Sequence, residues 1–274
     1  DLSSTTKMEE RIHAIYSSFQ IQFGDKTGLR AGLRYEHTDN ILIKNIGGNL
    51  IKRNYGNLFP NISFSHQINE TQRLQINYGR RINRPTFNQL APFVLFLGPD
   101  ALYSGNTNLQ PSFINKYGIE WGWAGKNFTL EYVKEKGAII EFQPRLSENG
   151  EQYIFKAENM DYKNILSASI GIPLQIAPWW NTENNITFLS EKLRFNFNDI
   201  VYNRSKGSLR LNSSQQFSIG KTTKLELSGY YQSATLFGIG TFGSMGTLNL
   251  GIQQQLHKNH GTLQMSFNNI LASE

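Results

Sequence analysis

Apolar and polar residues alternate one for one along most of this chain, in run after run separated by turn residues. Ile15, Ser17, Phe19, Ile21 and Phe23 share one parity, and Tyr16, Ser18, Gln20 and Gln22 the other. After Gly24-Asp25-Lys26-Thr27, the next run sets Leu29, Ala31, Leu33 and Tyr35 against Arg30, Gly32, Arg34 and Glu36, so its charges all lie on one side. A period of two sends successive side chains to opposite faces of a β-strand.

The pattern recurs through Ile62–Ile68, Leu74–Tyr78, Tyr117–Trp123, Phe128–Tyr132, Leu166–Leu174, Asn184–Phe188, Leu209–Ile219, Leu225–Tyr231, Leu248–Leu256 and Leu263–Phe267, which makes twelve strands. Six short turns, near Asp25, Glu70, Lys126, Pro178, Lys221 and Asn259, alternate strictly with five long loops. Those loops read as His37 to Pro60, 82–112, Lys134 to Lys163, Asn196 to Lys206 and Phe237 to Gly246. Within the third, Ala138–Phe142 and Gln152–Phe155 suggest a hairpin above the main sheet. Short connections at one end and long ones at the other are the layout of a transmembrane β-barrel, and a soluble sandwich has no reason to sort them so.

Loop 82–112 belongs to the one long stretch, Tyr78 to Glu120, that breaks the rhythm. Its centre, Pro92-Phe93-Val94-Leu95-Phe96-Leu97, is too apolar for a disordered linker and suits a folded loop that packs its own side chains. The expected organisation is one all-β region over 1–274, an antiparallel up-and-down barrel, with 82–112 either extracellular or folded into the lumen.

Composition supports strands: 12% aromatic residues, 24 Gly and only 18% charged residues. No Cys is present, which removes disulfides, thiolate zinc sites and Cys nucleophiles. The net charge of +6 is scattered, without the basic run that would track a phosphate backbone, so nucleic acid is not an expected partner. No stretch of about 18 apolar residues offers a membrane helix, but a spanning strand needs only about 9 to 11 residues and signals itself by alternation. Patterning leaves two readings open. In a membrane barrel the Leu, Ile and Phe face looks toward lipid and the Gln, Asn, Ser, Gly, Arg and Glu face toward a wet lumen; in a soluble barrel the apolar face is the core. Tyr16, Tyr35, Tyr78, Trp121, Trp123, Trp179, Trp180 and Tyr231 are expected near strand ends, as in an aromatic girdle.

Three stretches carry a family likeness. Arg84-Pro85-Thr86-Phe87-Asn88-Gln89-Leu90, then Gly105-Asn106-Thr107-Asn108-Leu109-Gln110-Pro111, then Tyr117-Gly118-Ile119-Glu120 resemble the barrel of TonB-dependent outer-membrane receptors, in the form common in Bacteroidetes. Ala31–Glu36 and Phe267–Leu271 resemble two further segments of that family, while Ser112 stands where it usually has Glu. The resemblance implies an outer-membrane location and a piece of a barrel of about 22 strands around a plug. With twelve strands, no plug and no TonB-contacting segment, the chain looks excised at both ends, and it would close on itself, stay open or pair with a second copy. The implied function is import of a nutrient such as a metal chelate, glycan or peptide, energised by TonB through the plug. A structural or adhesive barrel is the alternative. The implied partners are outer-membrane lipid and lipopolysaccharide, TonB and the nutrient; no cofactor is implied.

The sharpest polar cluster is Arg80, Arg81 and Arg84, at the mouth of the central loop. Read functionally, the three guanidinium groups clamp an anionic ligand. Read plainly, they anchor the loop to lumen carboxylates or meet lipopolysaccharide phosphates. Asn106 and Asn108 are ligand candidates too, although Asn in such a segment more often shapes a turn. His257-x-x-His260 lacks a third metal ligand, and Gly24-Asp25-Lys26-Thr27 lacks the upstream glycine and helix of a phosphate loop. Nothing in the sequence fixes Glu131, Glu135 and Glu141 as a hydrolytic pair. No metal site and no enzymatic activity are expected.

Overall fold

The computed structural model describes residues 5–44, 48–147, 150–197, 200–238, 240–256 and 261–271. In chain order the elements are β1 (Thr6–Phe23), β2 (Thr27–Lys44), β3 (Gly48–Asn69), β4 (Gln72–Asn83), the helical turn α1 (Phe87–Leu90), β5 (Val94–Gly98), β6 (Ala101–Ser104), β7 (Ser112–Trp123), β8 (Lys126–Lys136) and β9 (Ile139–Leu146). They continue with β10 (Tyr153–Asn159), β11 (Tyr162–Ala177), β12 (Trp180–Phe197), β13 (Ile200–Ile219), β14 (Thr223–Gln232), β15 (Thr235–Phe237), β16 (Gly240–Phe242), β17 (Met245–Gln255) and β18 (Thr262–Phe267).

Twelve of these form one antiparallel sheet in the order β1-β2-β3-β4-β7-β8-β11-β12-β13-β14-β17-β18, so every main strand pairs with its nearest main-sheet neighbours along the chain. This is the up-and-down arrangement that the alternation predicts. Among the described residues β1 and β18 each pair on one side only, which leaves the sheet open. The remaining strands are inserted in three of the long-end connections. β5, β6, β10 and β9 build a second, four-stranded sheet, and β15 and β16 a small hairpin.

Two expected loops are strand instead. The ladder continues through 37–44 and 48–60 with one register shift between Leu42 and Ile43, and β12 and β13 continue through Asn196 and Phe197 and through 200–206. In these extensions both faces carry polar side chains, as at His37, Thr38, Asp39 and Asn40, so the alternation fades although backbone pairing does not. The hairpin expected around 138–155 is the antiparallel pair β9–β10.

Register settles which residues share a face. One cross-strand row reads Ile76, Ile119, Leu130, Ala168, Phe188 and Leu209. The adjacent row, on the other face, reads Asn77, Gly118, Glu131, Ser167, Leu189 and Ser208. The apolar face is open, with Ile119 at 45% and Phe188 at 60% exposure, while buried side chains gather where the inserted strands cover the polar face. Leu42, Ile51, Leu90, Leu109 and Ala157 form one such cluster, and Ala138, Met160, Leu193, Phe195 and Leu236 a second. The polar face is therefore inward and the apolar face outward, the reverse of a soluble barrel; an exposed apolar surface this extensive calls for a partner or a bilayer. Trp121, Trp123 and Phe128 stack at the short-turn end, as do Trp179, Trp180 and Phe217. Tyr78, Tyr117 and Tyr132 form a higher outward row, whereas Tyr16 and Tyr35 sit mid-strand, away from the ends where a girdle would place them.

In a lipid bilayer, spin labels at Leu209 and Leu211 are expected to relax with dissolved oxygen, and labels at Arg210 and Asn212 with a water-soluble nickel chelate. The opposite pattern would reverse the assignment of faces.

Candidate functional site

The inward face carries a platform made from segments 84–111 and 137–161. Its foundation is Arg84, which follows β4 directly. The Arg84 Nη2 donates to Glu36 Oε2 at 2.6 Å and to Thr38 Oγ1 at 2.9 Å, and Nε lies 3.7 Å from Glu10 Oε1. Glu36 also meets Arg34 at 2.7 Å and is 7% exposed, while Thr38 is fully buried. Burial opposes the charge on Arg84, but hydrogen bonding to Glu36 and Tyr55 outweighs it and lifts the guanidinium pKa above its ordinary value.

The two family-like segments supply the other fastenings. In the first, the Thr86 backbone N–H donates to Gln89 Oε1 at 2.9 Å, which starts the turn α1 and delivers Leu90 to the buried cluster. In the second, Asn106 works twice. Its Nδ2 donates to the Ala157 carbonyl at 2.9 Å, and its Oδ1 accepts from the Asn108 backbone N–H at 3.0 Å, forming the turn that buries Leu109. Gly105 passes so close to Ala91 that a Cβ would collide with that residue's carbonyl oxygen. Arg53 of β3 donates to the Thr107 carbonyl at 2.8 Å. Asn159 accepts from the Gln110 backbone N–H and donates to the Gln110 and Gly137 carbonyls, each at 2.8 Å, joining the two segments. The joint continues as β6 and β10 pair in parallel.

The sequence candidates thus separate. Arg84 and Asn106 are fasteners beneath the platform, and Asn108 is exposed beside its turn. Arg81 faces inward and exposed, with its strand partner Ile114, while Arg80 points outward with its guanidinium carbon 5.2 Å from the Phe113 ring. The three arginines do not converge. Glu131, Glu135 and Glu141 are each engaged separately, with Lys116, Ser112 and Gln89. His257 and His260 lie outside the described residues, and no group of three or more His, Asp or Glu suited to a metal occurs among those described.

Sequence reasoning did not anticipate the exposed surface of the platform. Val94, Leu95, Phe96 and Leu97 on the edge strand β5 are 49–72% exposed instead of packing on one another, and Leu146 and Tyr153, on β9 and β10 of the same sheet, are open too. The apolar run was legible as a signal; its direction was not. Burial and the nearby Glu141 carboxylate push the Tyr103 hydroxyl pKa up, so it remains a neutral donor within this sheet.

A family model described as the outer membrane protein beta-barrel family matches residues 1–274. No curated protein matches the sequence. Several solved structures share the fold. The ferric enterobactin receptor of Pseudomonas aeruginosa, in a mutant form, is similar with a TM-score of 0.59 at 18% identity, over 96% of this chain and 40% of its own. The ferric-catecholate import receptor Fiu of E. coli gives 0.63 at 12% identity, over 97% and 41%. The copper transporter OprC gives 0.69 at 13% identity, over 95% and 42%. This chain spans about two fifths of the length of these proteins.

Removing Arg84 leaves the Glu36 carboxylate buried with less compensation, a loss of about 3 kcal/mol in docking the segment. Arg84→Ala is expected to speed proteolysis within 92–111 at least tenfold, and Glu36→Gln in the same chain to restore part of the protection. Equal cleavage of the single and double variants would show that the pair does not hold the platform. Gly105→Ala is expected to loosen the same segment through its contact with Ala91.

Proposed function

This chain belongs to the outer membrane protein beta-barrel family, and on that premise we propose that it supplies part of the wall and the ligand-facing platform of a TonB-dependent nutrient receptor. Its place is the outer membrane. The observation that carries the reading is the fastened platform. Two long-end insertions fold back over the polar face as one sheet, anchored through charged and amide groups to β2 and β3, and they leave an apolar edge exposed, Val94–Leu97 on β5, with Leu146 and Tyr153 also open on β9 and β10 of the same sheet. A structural barrel has no need of such a held, solvent-facing apolar surface, whereas ligand pockets are built from one together with a few polar groups.

The similar structures are named for ferric enterobactin, ferric catecholates and copper. Within the wider choice of metal chelate, glycan or peptide, the exposed apolar edge favours a chelate with aromatic or aliphatic faces, because apolar side chains reward its burial and a bare ion would find no ligand cluster among the described residues. Energy for release into the periplasm comes through a plug and TonB, and lipid and lipopolysaccharide surround the outward face.

The test is uptake of radiolabelled ferric enterobactin by cells carrying the full-length protein. Phe96→Ser with Leu97→Ser is expected to reduce binding at least tenfold while the barrel remains folded, and deletion of TonB to abolish uptake but not binding. If neither this chelate nor copper, glycans or peptides enter the cell in a TonB-dependent manner, the chain is a structural barrel and the transport reading falls.

A further inference from the structure

A cavity of about 430 Å³ lies at the β9 edge of the platform sheet, opposite the exposed β5 edge. Three parts of the fold meet there. The inward face of the wall supplies Glu135 and Lys163, the platform Glu141 and Met160, and β15 Leu236 and Phe237. The rest of the lining is mainly apolar, with Ile139, Ile140 and Leu193 in it. The polar groups are unevenly satisfied. Lys163 is already paired with Glu191 at 2.7 Å. Glu135 accepts from the Ser112 hydroxyl and Glu141 from the Gln89 amide, each through Oε1 at 2.6 Å, and among the described residues the second oxygen of each carboxylate accepts nothing. A third acceptor stands at the same corner. Gln143 is 2% exposed; its Nε2 donates to the Glu141 carbonyl at 2.9 Å, but its Oε1 is buried with no partner among the described residues. Its amide packs beside Ile140 against Gly238, two residues of the lining, so closely that a Cβ on Gly238 would lie 2.8 Å from both amide atoms.

The unmet demand in this cavity is for donors and for positive charge. A buried acceptor calls for a hydrogen-bond donor, and two carboxylates facing one space are relieved by a cation between them. Arg81, whose strand partner Ile114 lines the cavity, is itself exposed and outside the lining. A bare metal ion is poorly served, since no group of three or more His, Asp or Glu suited to it occurs among the described residues. The apolar remainder asks for a ligand body with carbon on it, and the Phe237 ring offers a face to an organic cation. We propose that this cavity binds a small organic ammonium compound with an apolar body. Its N–H groups are shared among Glu135, Glu141 and Gln143, and its body lies against Met160, Leu193, Leu236 and Phe237. Because wall, platform and β15 all contribute, the occupied site ties the three together, and binding stabilises the platform by mass action. The site is separate from the β5 edge, and it requires neither TonB nor uptake.

The test is isothermal titration of the full-length protein in neutral detergent at neutral pH with 2-phenylethylamine, which is then an ammonium ion, and with its neutral and anionic counterparts 2-phenylethanol and phenylacetate. The amine is expected to bind at least tenfold more tightly than the alcohol, and phenylacetate not to bind. The pair Glu135→Gln, Glu141→Gln is expected to lose at least tenfold in affinity for the amine, and Gln143→Met at least threefold. Glu120→Gln removes an inward carboxylate of β7 outside the cavity and is expected to bind as the wild type does. Saturating amine is expected to slow proteolysis within 137–161 in the wild type and to leave the paired variant unchanged. If the paired variant is cleaved faster than the wild type without amine, Glu135→Gln alone decides, since its amide oxygen still accepts from Ser112; a loss of at least threefold is expected there. Equal binding of amine and alcohol, undiminished binding in the carboxylate variants, or an equal loss in Glu120→Gln would each overturn the site. Failure of chelate uptake in cells leaves these outcomes untouched, so the transport reading and this site stand or fall separately.

Discussion

A strand that crosses hydrocarbon has no water to accept or donate hydrogen bonds, so its backbone groups must be paired by its neighbours along the full crossing. The register of the main sheet follows from this. Consecutive antiparallel strands are the simplest way to supply such pairing, and β11 to β13 keep it from one end to the other with one irregularity near Ala177. Once the backbone is occupied, side chains decide which face meets lipid. The parity of Ile119, Leu130 and Phe188 leaves the inward face to Asn77, Glu131 and Ser167.

An inward face made of polar groups cannot hold an insertion by hydrophobic burial alone. The platform is accordingly fastened by Arg84 to Glu36, by Arg53 to a backbone carbonyl and by the double use of Asn106 and Asn159. Among the described residues apolar burial is concentrated in two small clusters where insertion and wall meet. Each directional bond fixes position more tightly than apolar contact does, and leaving one unmade costs about 1–3 kcal/mol. This explains a platform that stays in register with the wall while its upper surface is free to carry exposed Val94–Leu97.

The sequence discloses these levels unevenly. Alternation across Leu29–Tyr35 or Leu209–Ile219 is strong because one face meets lipid and the other water, so strand count and order were legible there. At His37–Asn40 both faces are polar, the signal vanishes, and long strands looked like loops. The motif at Gly105–Pro111 was legible as a family feature, but its purpose was not, because Asn106 acts on Ala157 and Gly105 packs against Ala91, partners that no local pattern names. The apolar run at Pro92–Leu97 was visible, yet whether such a run is buried or displayed depends on what the rest of the fold places against it.

Arg80 and Arg81 show why a linear cluster misleads in a sheet. They are adjacent in sequence, but a period of two assigns one to the outward face and the other to the inward face, while Arg84, beyond the strand end, turns back to Glu36. Three arginines within five positions therefore serve three environments. The same parity that divides them gathers Arg80 with Lys134 and Lys192, residues separated by more than fifty positions at each step, into one outward row. In a barrel wall, chemistry is grouped across strands, so a site has to be sought along the hydrogen-bonding direction and on one parity, and proximity along the chain carries little weight.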